Sequence, residues 1–206
     1  MLRAEKNSKM KSEICRIMKA AYDRGWISTR DGNCSFKEKD SDEILITPSG
    51  VDKSVLKDDD ILSLKIFEDK LILENSTPSG ELDMHWRLLR SEDSDACVLH
   101  LHPTNIVAAM LAGFRLKDIA EKFPEVFRFS SIGDDVPAVP ATSSQLAAHT
   151  YSAIHAGPPP RASIVGQKFH GVCAIGKDPQ EAFEHIERLE HVCQITLTSR
   201  VAPNSL

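Results

Sequence analysis

Two histidines separated by one residue, His100 and His102, sit at the end of the apolar run Ala96 to Leu101. On an extended segment side chains repeat with period two, so both imidazoles project to the same side. Glu81 precedes them at the start of a predicted helix. His170, in Phe169-His170-Gly171-Val172, follows well after. Three imidazoles and a nearby carboxylate make a catalytic metal site if the fold gathers them, with positions left open for substrate oxygens. Taken alone, a His-x-His pair is more often surface or core imidazole than a ligand, and Glu81 alone is an ordinary first-turn acid. His85, His149, His155, His185 and His191 have no partner at ligand spacing and read as surface or packing residues.

The elements that must carry these groups follow from apolar periodicity. Ile14, Ile17, Met18 and Ala21 recur at helical spacing from Ser8 to Arg24, with Gly25 as the stop. A Gly-, Asn- and Asp-rich stretch spans Ser28 to Asn33. Ile44 to Thr47 reads as a strand closed by the turn Pro48-Ser49-Gly50. Ile61 to Ile66 and Leu71 to Leu73 pair around Glu68-Asp69. Ser79 caps a helix to about Arg90, with Leu82, Trp86 and Leu89 on one face; Trp26 and Trp86 read as core. Ala96 to Leu101 is a strand, and Pro103 and Thr104 open a helix stopped by Gly113. Asp134 to Ala141, with two prolines, is an edge strand or irregular. Ser144 to His155 is helical, and Pro158-Pro159-Pro160 ends it. Ala162 to Lys168 and Val172 to Ile175 are strands. Asp178-Pro179-Gln180-Glu181 starts a last helix that runs to about Ser199. This order gives a mostly antiparallel or mixed sheet covered by helices.

With 206 residues the chain is most simply one domain, residues 1–206, large enough to bury a full core. The net charge of -5 comes without a long basic cluster, which argues against nucleic acid as a partner. The apolar stretches are too short to span a bilayer, and the charged start of the chain is not an apolar signal core. Five scattered cysteines with no C-x-x-C pair point to a reducing cytoplasm and against a disulfide frame or zinc ribbon.

Five motifs stand in a telling order: Thr29-Arg30-Asp31-Gly32-Asn33-Cys34-Ser35, Ile46-Thr47-Pro48-Ser49-Gly50, Pro78-Ser79-Gly80-Glu81, His100-Leu101-His102-Pro103 and His170-Gly171. Together they resemble the class II aldolase/adducin family, over about Ser12 to Ser199. The resemblance implies an α/β fold, a three-layer α/β/α sandwich with a central, mainly antiparallel β-sheet. It implies a homotetramer with active sites between neighbouring subunits. It further implies a divalent metal, zinc first with Mn2+, Co2+, Ni2+ or Fe2+ as alternatives, held by His100, His102 and His170. Glu81 matches the family's general base. Asn33, Ser49, Gly50, Ser79 and Gly80 match a pocket for a substrate phosphate, which backbone N–H groups and a helix start suit chemically.

The function so implied is a metal-dependent lyase of retro-aldol type, acting through a metal-stabilised enediolate on a small phosphorylated sugar or hydroxy acid. A dehydratase, decarboxylase or epimerase of the same family is the alternative, or a non-catalytic adducin-like module. The intact histidine set speaks against the last. A cupin-like oxygenase also uses His-x-His and Glu, but there the Glu follows the pair closely, whereas Glu81 precedes it. The chain departs from sugar-phosphate aldolases of the family in lacking their tyrosine proton donor. Tyr22 and Tyr151 lie elsewhere, and Phe127 and Phe129 occupy the corresponding region. Gly80 replaces one of the paired serines, and Arg30 stands where a small hydroxyl residue is common.

Overall fold

A computed structural model describes residues 2–74, 76–157 and 161–201. The expected helix stop at Pro158-Pro159-Pro160 lies outside the described residues. Seven strands form one sheet: β1 (Asn33–Lys37), β2 (Glu43–Ile46), β3 (Leu62–Phe67), β4 (Lys70–Ile72), β5 (Ala96–Leu101), β6 (Ile164–Gln167) and β7 (Gly171–Gly176). Their spatial order is β4-β3-β2-β1-β5-β7-β6, and every pairing between them is antiparallel. Among the described residues seven α-helices surround it: α1 (Leu2–Asp23), α2 (Leu82–Leu89), α3 (Thr104–Leu111), α4 (Leu116–Ala120), α5 (Pro124–Phe129), α6 (Ser144–His155) and α7 (Pro179–Val201).

Period-two alternation divides the sheet into two apolar faces. Cys34, Phe36, Leu45, Cys97, Leu99, Leu101, Val172 and Ala174 pack with α1, α3, α4, α5 and α7. Ile44, Ile46, Ala96, Val98, Cys173 and Ile175 pack with α2 and α6. Both faces of β5 and β7 are buried, so these strands read as unbroken apolar runs rather than alternating ones. The result is the expected three-layer α/β/α arrangement. Each fully buried aliphatic side chain contributes on the order of 2 kcal/mol of transfer free energy.

Several expectations are corrected. α1 begins at Leu2 rather than Ser8, because its first turns carry polar residues that show no apolar period. The buried side of α2 is Met84, His85, Leu88 and Leu89, and Leu82 and Trp86 are only half-buried against that layer. Ser79 lies ahead of the helix proper: its Oγ accepts the Glu81 N–H at 3.2 Å, and Glu81 takes the cap position. Asp134 to Ala141, by contrast, takes the irregular form, one of its two expected states, and is joined to β6 by a single parallel bridge from Val136 to Gln167.

Apolar periodicity does not mark β1. Its Cys34 and Phe36 enter the core, but its other face is the polar pair Asn33 and Ser35, buried beneath α2. A strand with one polar buried face lacks the apolar signature that identifies strands in sequence. That polar face underlies the candidate site.

Candidate metal centre and pocket

β5 carries His100 near its end, with Asn33 of β1 opposite on one side and Cys173 of β7 on the other. The chain leaves the sheet through His102, whose N–H donates to the Trp26 carbonyl at 3.1 Å. His170 comes from the turn between β6 and β7, where its N–H donates to Gln167 O at 3.0 Å. Phe169 in that turn has φ +60°, a left-handed conformation uncommon for a bulky residue. Gly171 follows because nothing larger fits. A Cβ there would meet Leu101 O at 2.4 Å and His102 Cδ2 at 2.6 Å. Gly32 is also tied to the site: it has φ +69° and its Cβ would meet Ile27 Cγ2 at 2.8 Å.

These constraints bring the three imidazoles together. Ring centroids are 4.8 Å apart for His100–His102, 4.7 Å for His100–His170 and 5.0 Å for His102–His170. One ring nitrogen from each lies within 4.8 Å of the others. His100 Nδ1 donates to Val172 O at 2.9 Å, which leaves Nε2 as a lone pair facing His102 Nε2 at 2.8 Å. Burial pushes the His100 pKa down to about 3, with His170 acting in the same direction and the Val172 carbonyl opposing. Burial also takes His102 to about 3, followed by His100 and His170. Two neutral rings with their Nε2 atoms 2.8 Å apart fit a shared cation.

Glu81 lies at the start of α2, beside the rings and 5% exposed. Its Oε2 is 3.3 Å from His100 Nε2, and its Oε1 is 3.7 Å from His170 Nε2. Asn33 Nδ2 donates to Oε2 at 3.4 Å, while Oε1 is buried without a hydrogen-bond partner. An orphaned buried carboxylate oxygen is costly, and a cation or a substrate proton would satisfy it.

A pocket of about 260 Å³ opens over this group. Asn33, Ser49, Ser79, Gly80, Glu81, His100, His102 and His170 line it, so eight of the nine sequence-selected residues meet there. Gly50 is next to Ser49 at φ +72° but outside the lining. Two backbone N–H groups at the pocket rim are spent inside the fold. Ser49 N–H donates to Thr77 O at 2.9 Å, and Ser79 N–H to Thr47 O at 3.1 Å. Other rim groups able to donate to an anion are the serine hydroxyls and Arg30, which also lines the pocket, beside the positive end of α2.

Sequence reasoning missed Lys53, Thr142 and His85. Lys53 is 1% exposed, and its ammonium donates to Pro48 O and Val51 O at 3.1 Å each. It thereby holds the loop that presents Ser49 and Gly50. Burial lowers its pKa, and Asp31 and Asp52 oppose that shift. Thr142 lines the pocket from a proline-flanked segment with no sequence signal. His85 is fully buried beneath Glu81 and bonds Ser35 and Asn33; it is no surface residue. Of the other histidines, His185 is buried against Ser130, and His149, His155 and His191 lie away from the pocket lining. No tyrosine lines the pocket among the described residues.

Comparison with known proteins gives a consistent result. The family described as Class II Aldolase and Adducin N-terminal domain matches residues 12–197. An L-fuculose phosphate aldolase from Methanocaldococcus jannaschii is 28% identical over 187 residues, covering 91% of this chain and 95% of that protein. A methylthioribulose-1-phosphate dehydratase from Pectobacterium carotovorum is also 28% identical, over 193 residues, covering 87% and 89%. The solved L-fuculose-1-phosphate aldolase of Thermus thermophilus superposes with a TM-score of 0.75 at 22% identity, covering 96% of this chain and 98% of that one.

Proposed function

The chain belongs to the class II aldolase and adducin family, and from that premise we propose that it is a divalent-metal-dependent lyase acting on a small phosphorylated sugar or hydroxy acid. One observation carries the reading: three converging imidazoles and a buried carboxylate with an unpartnered oxygen share one pocket. His100, His102 and His170 would hold the cation. A set of three imidazoles suits zinc. When bound, such an ion supplies Lewis-acid stabilisation of negative charge developing on substrate oxygens. Glu81 takes or returns the substrate proton through Oε1, the oxygen not engaged by Asn33. Ser49, Gly50, Ser79 and Gly80, with Asn33 at the boundary to Glu81, receive the substrate's anionic group. Glu81 and His100 are buried, and substrate bound in the pocket would further exclude water from them.

Retro-aldol cleavage is the first form of this reaction. Dehydration is the second, because the dehydratase relative is as similar as the aldolase and no tyrosine among the described residues lines the pocket. We further propose a homotetramer with sites between subunits, for which the exposed Phe127, Phe129 and Ile195 offer apolar contact surface. The five free thiols suit a cytoplasmic setting. No helix among the described residues is long and apolar enough to cross a membrane.

The test is a panel of ketose and aldonate phosphates incubated with zinc-loaded protein and followed by mass spectrometry. Cleavage yields two carbonyl fragments, whereas dehydration yields one product lighter by a water. Glu81→Gln retains the ion and loses turnover by about 10²-fold or more. Unchanged turnover in that variant removes Glu81 from the mechanism.

A further inference from the structure

We propose that His85 is a positioning residue: as its Nε2–H tautomer it fixes the Asn33 carboxamide so that Asn33 donates to Glu81 Oε2, leaving Oε1 to handle the substrate proton. The clause about the substrate proton rests on the lyase reading above. The tautomer and the amide orientation do not.

The argument starts from spacing. Glu81 and His85 are four residues apart at the head of α2, so they share a face. Asn33 and Ser35 are two apart on β1, so they share a face as well. α2 packs on β1, which sets one pair over the other. His85 is 0% exposed. Its Nδ1 lies 2.6 Å from Ser35 Oγ, and its Nε2 contacts Asn33 Oδ1.

Each bond dictates the next. Asn33 presents an amide nitrogen and an amide oxygen, and its neighbours decide which way round they sit. Nδ2 stands 3.4 Å from Glu81 Oε2; a flipped amide would set its oxygen against a carboxylate oxygen. With Nδ2 toward Glu81, Oδ1 faces the imidazole, and Oδ1 only accepts. Nε2 must therefore carry the proton. Burial keeps the ring neutral at ordinary pH, so Nδ1 is a lone pair and the Ser35 hydroxyl donates to it. The chain runs Ser35 to His85 to Asn33 to Glu81, one donor and one acceptor at each link. An apolar side chain would fill the same space without the desolvation cost of an imidazole. What the imidazole adds is the direction of the amide.

Long-range 15N–1H correlation NMR on the metal-free protein near neutral pH tests this. The expected result is a His85 ring in the neutral Nε2–H form. In His85→Leu, the Asn33 side-chain amide resonances move and exchange faster with solvent; His85→Gln, which keeps an N–H donor, restores part of the wild-type pattern. An Nδ1–H ring, or Asn33 amide signals indifferent to His85→Leu, overturns the proposal. If His85→Leu does not fold, Ser35→Ala replaces it and is expected to raise the Nδ1–H population; no change there counts against the chain. The kinetic arm uses whichever sugar phosphate the wild type turns over. His85→Leu lowers kcat about 10- to 100-fold, the range of one hydrogen bond to a charged group. KM changes less than about threefold, zinc content is kept, and His85→Gln recovers part of kcat. A raised KM with unchanged kcat overturns the positioning role. Absence of turnover in the wild type would defeat the lyase reading, and the NMR arm then decides the proposal alone.

Discussion

Replacing His100 with alanine removes one of three converging donors, and the size of the effect can be worked from the geometry. His100 Nε2 is 2.8 Å from His102 Nε2. Nitrogens bound tetrahedrally at about 2.0–2.1 Å from zinc stand about 3.3 Å apart, so the pair needs a shift of only about half an ångström to ligate. The ring is already desolvated, held by Val172 O and neutral, so little of the binding free energy goes into organising it. Four-ligand structural zinc sites bind with about 10–16 kcal/mol, or about 2.5–4 kcal/mol per ligand. Losing one ligand then weakens zinc binding by about 10²- to 10³-fold. Competition of zinc-free protein against a chromophoric chelator measures this directly. His170→Ala should behave alike, and His191→Ala, outside the cluster, should bind as the parent does. A change below about tenfold in both His100→Ala and His170→Ala would refute the shared site.

Further outcomes follow from the same contacts. The His85 imidazole is neutral in the fold, its pKa pushed down by burial from 6.5 to about 3. The unfolded chain therefore takes up that proton first as the pH falls below 6.5, and the stability is progressively lost toward pH 3. Chelator-treated protein should lose about 2 kcal/mol through this ring between pH 8 and pH 5, and His85→Leu should lose about that much less over the interval in urea titrations. An equal loss in both proteins would place the titration elsewhere. Gly171→Ala forces a Cβ to within 2.4 Å of Leu101 O. It should cost about 1–3 kcal/mol in unfolding free energy and weaken zinc binding; wild-type values for both would show that the turn has room. Lys53→Met keeps the stem but removes the two bonds to Pro48 O and Val51 O. It should destabilise the chain by about 1–3 kcal/mol and weaken binding of inorganic phosphate seen by calorimetry. Phosphate binding equal to the parent's would detach this loop from anion recognition.

The apolar strands and amphipathic helices were legible because burial writes its pattern into the chain: period two for β3, near 3.6 for α1 and α6, and an unbroken apolar run for β2. The continuous runs of β5 and β7 were legible for the complementary reason, that both their faces are covered. The short helices α4 and α5 were not, since five or six residues carry too little periodicity to stand out. Nor was β1, whose buried polar face serves α2 and the site rather than the apolar core.

By itself the amino-acid order determined the family, the three-layer fold and the identity of three imidazoles and one carboxyl, because residue type and motif order are properties of the chain. Only the tertiary structure decided how those groups face one another. Antiparallel pairing of β5 with β1 and β7, a turn too tight for any Cβ at Gly171, and α2 lying across β1 bring residues separated by tens of positions within hydrogen-bond distance. It also spent the Ser49 and Ser79 N–H groups on the backbone and turned His85 from an apparent packing residue into a partner of Asn33. Hydrogen bonds act over about 3 Å, and local sequence patterns carry no record of which distant donor will arrive within that reach.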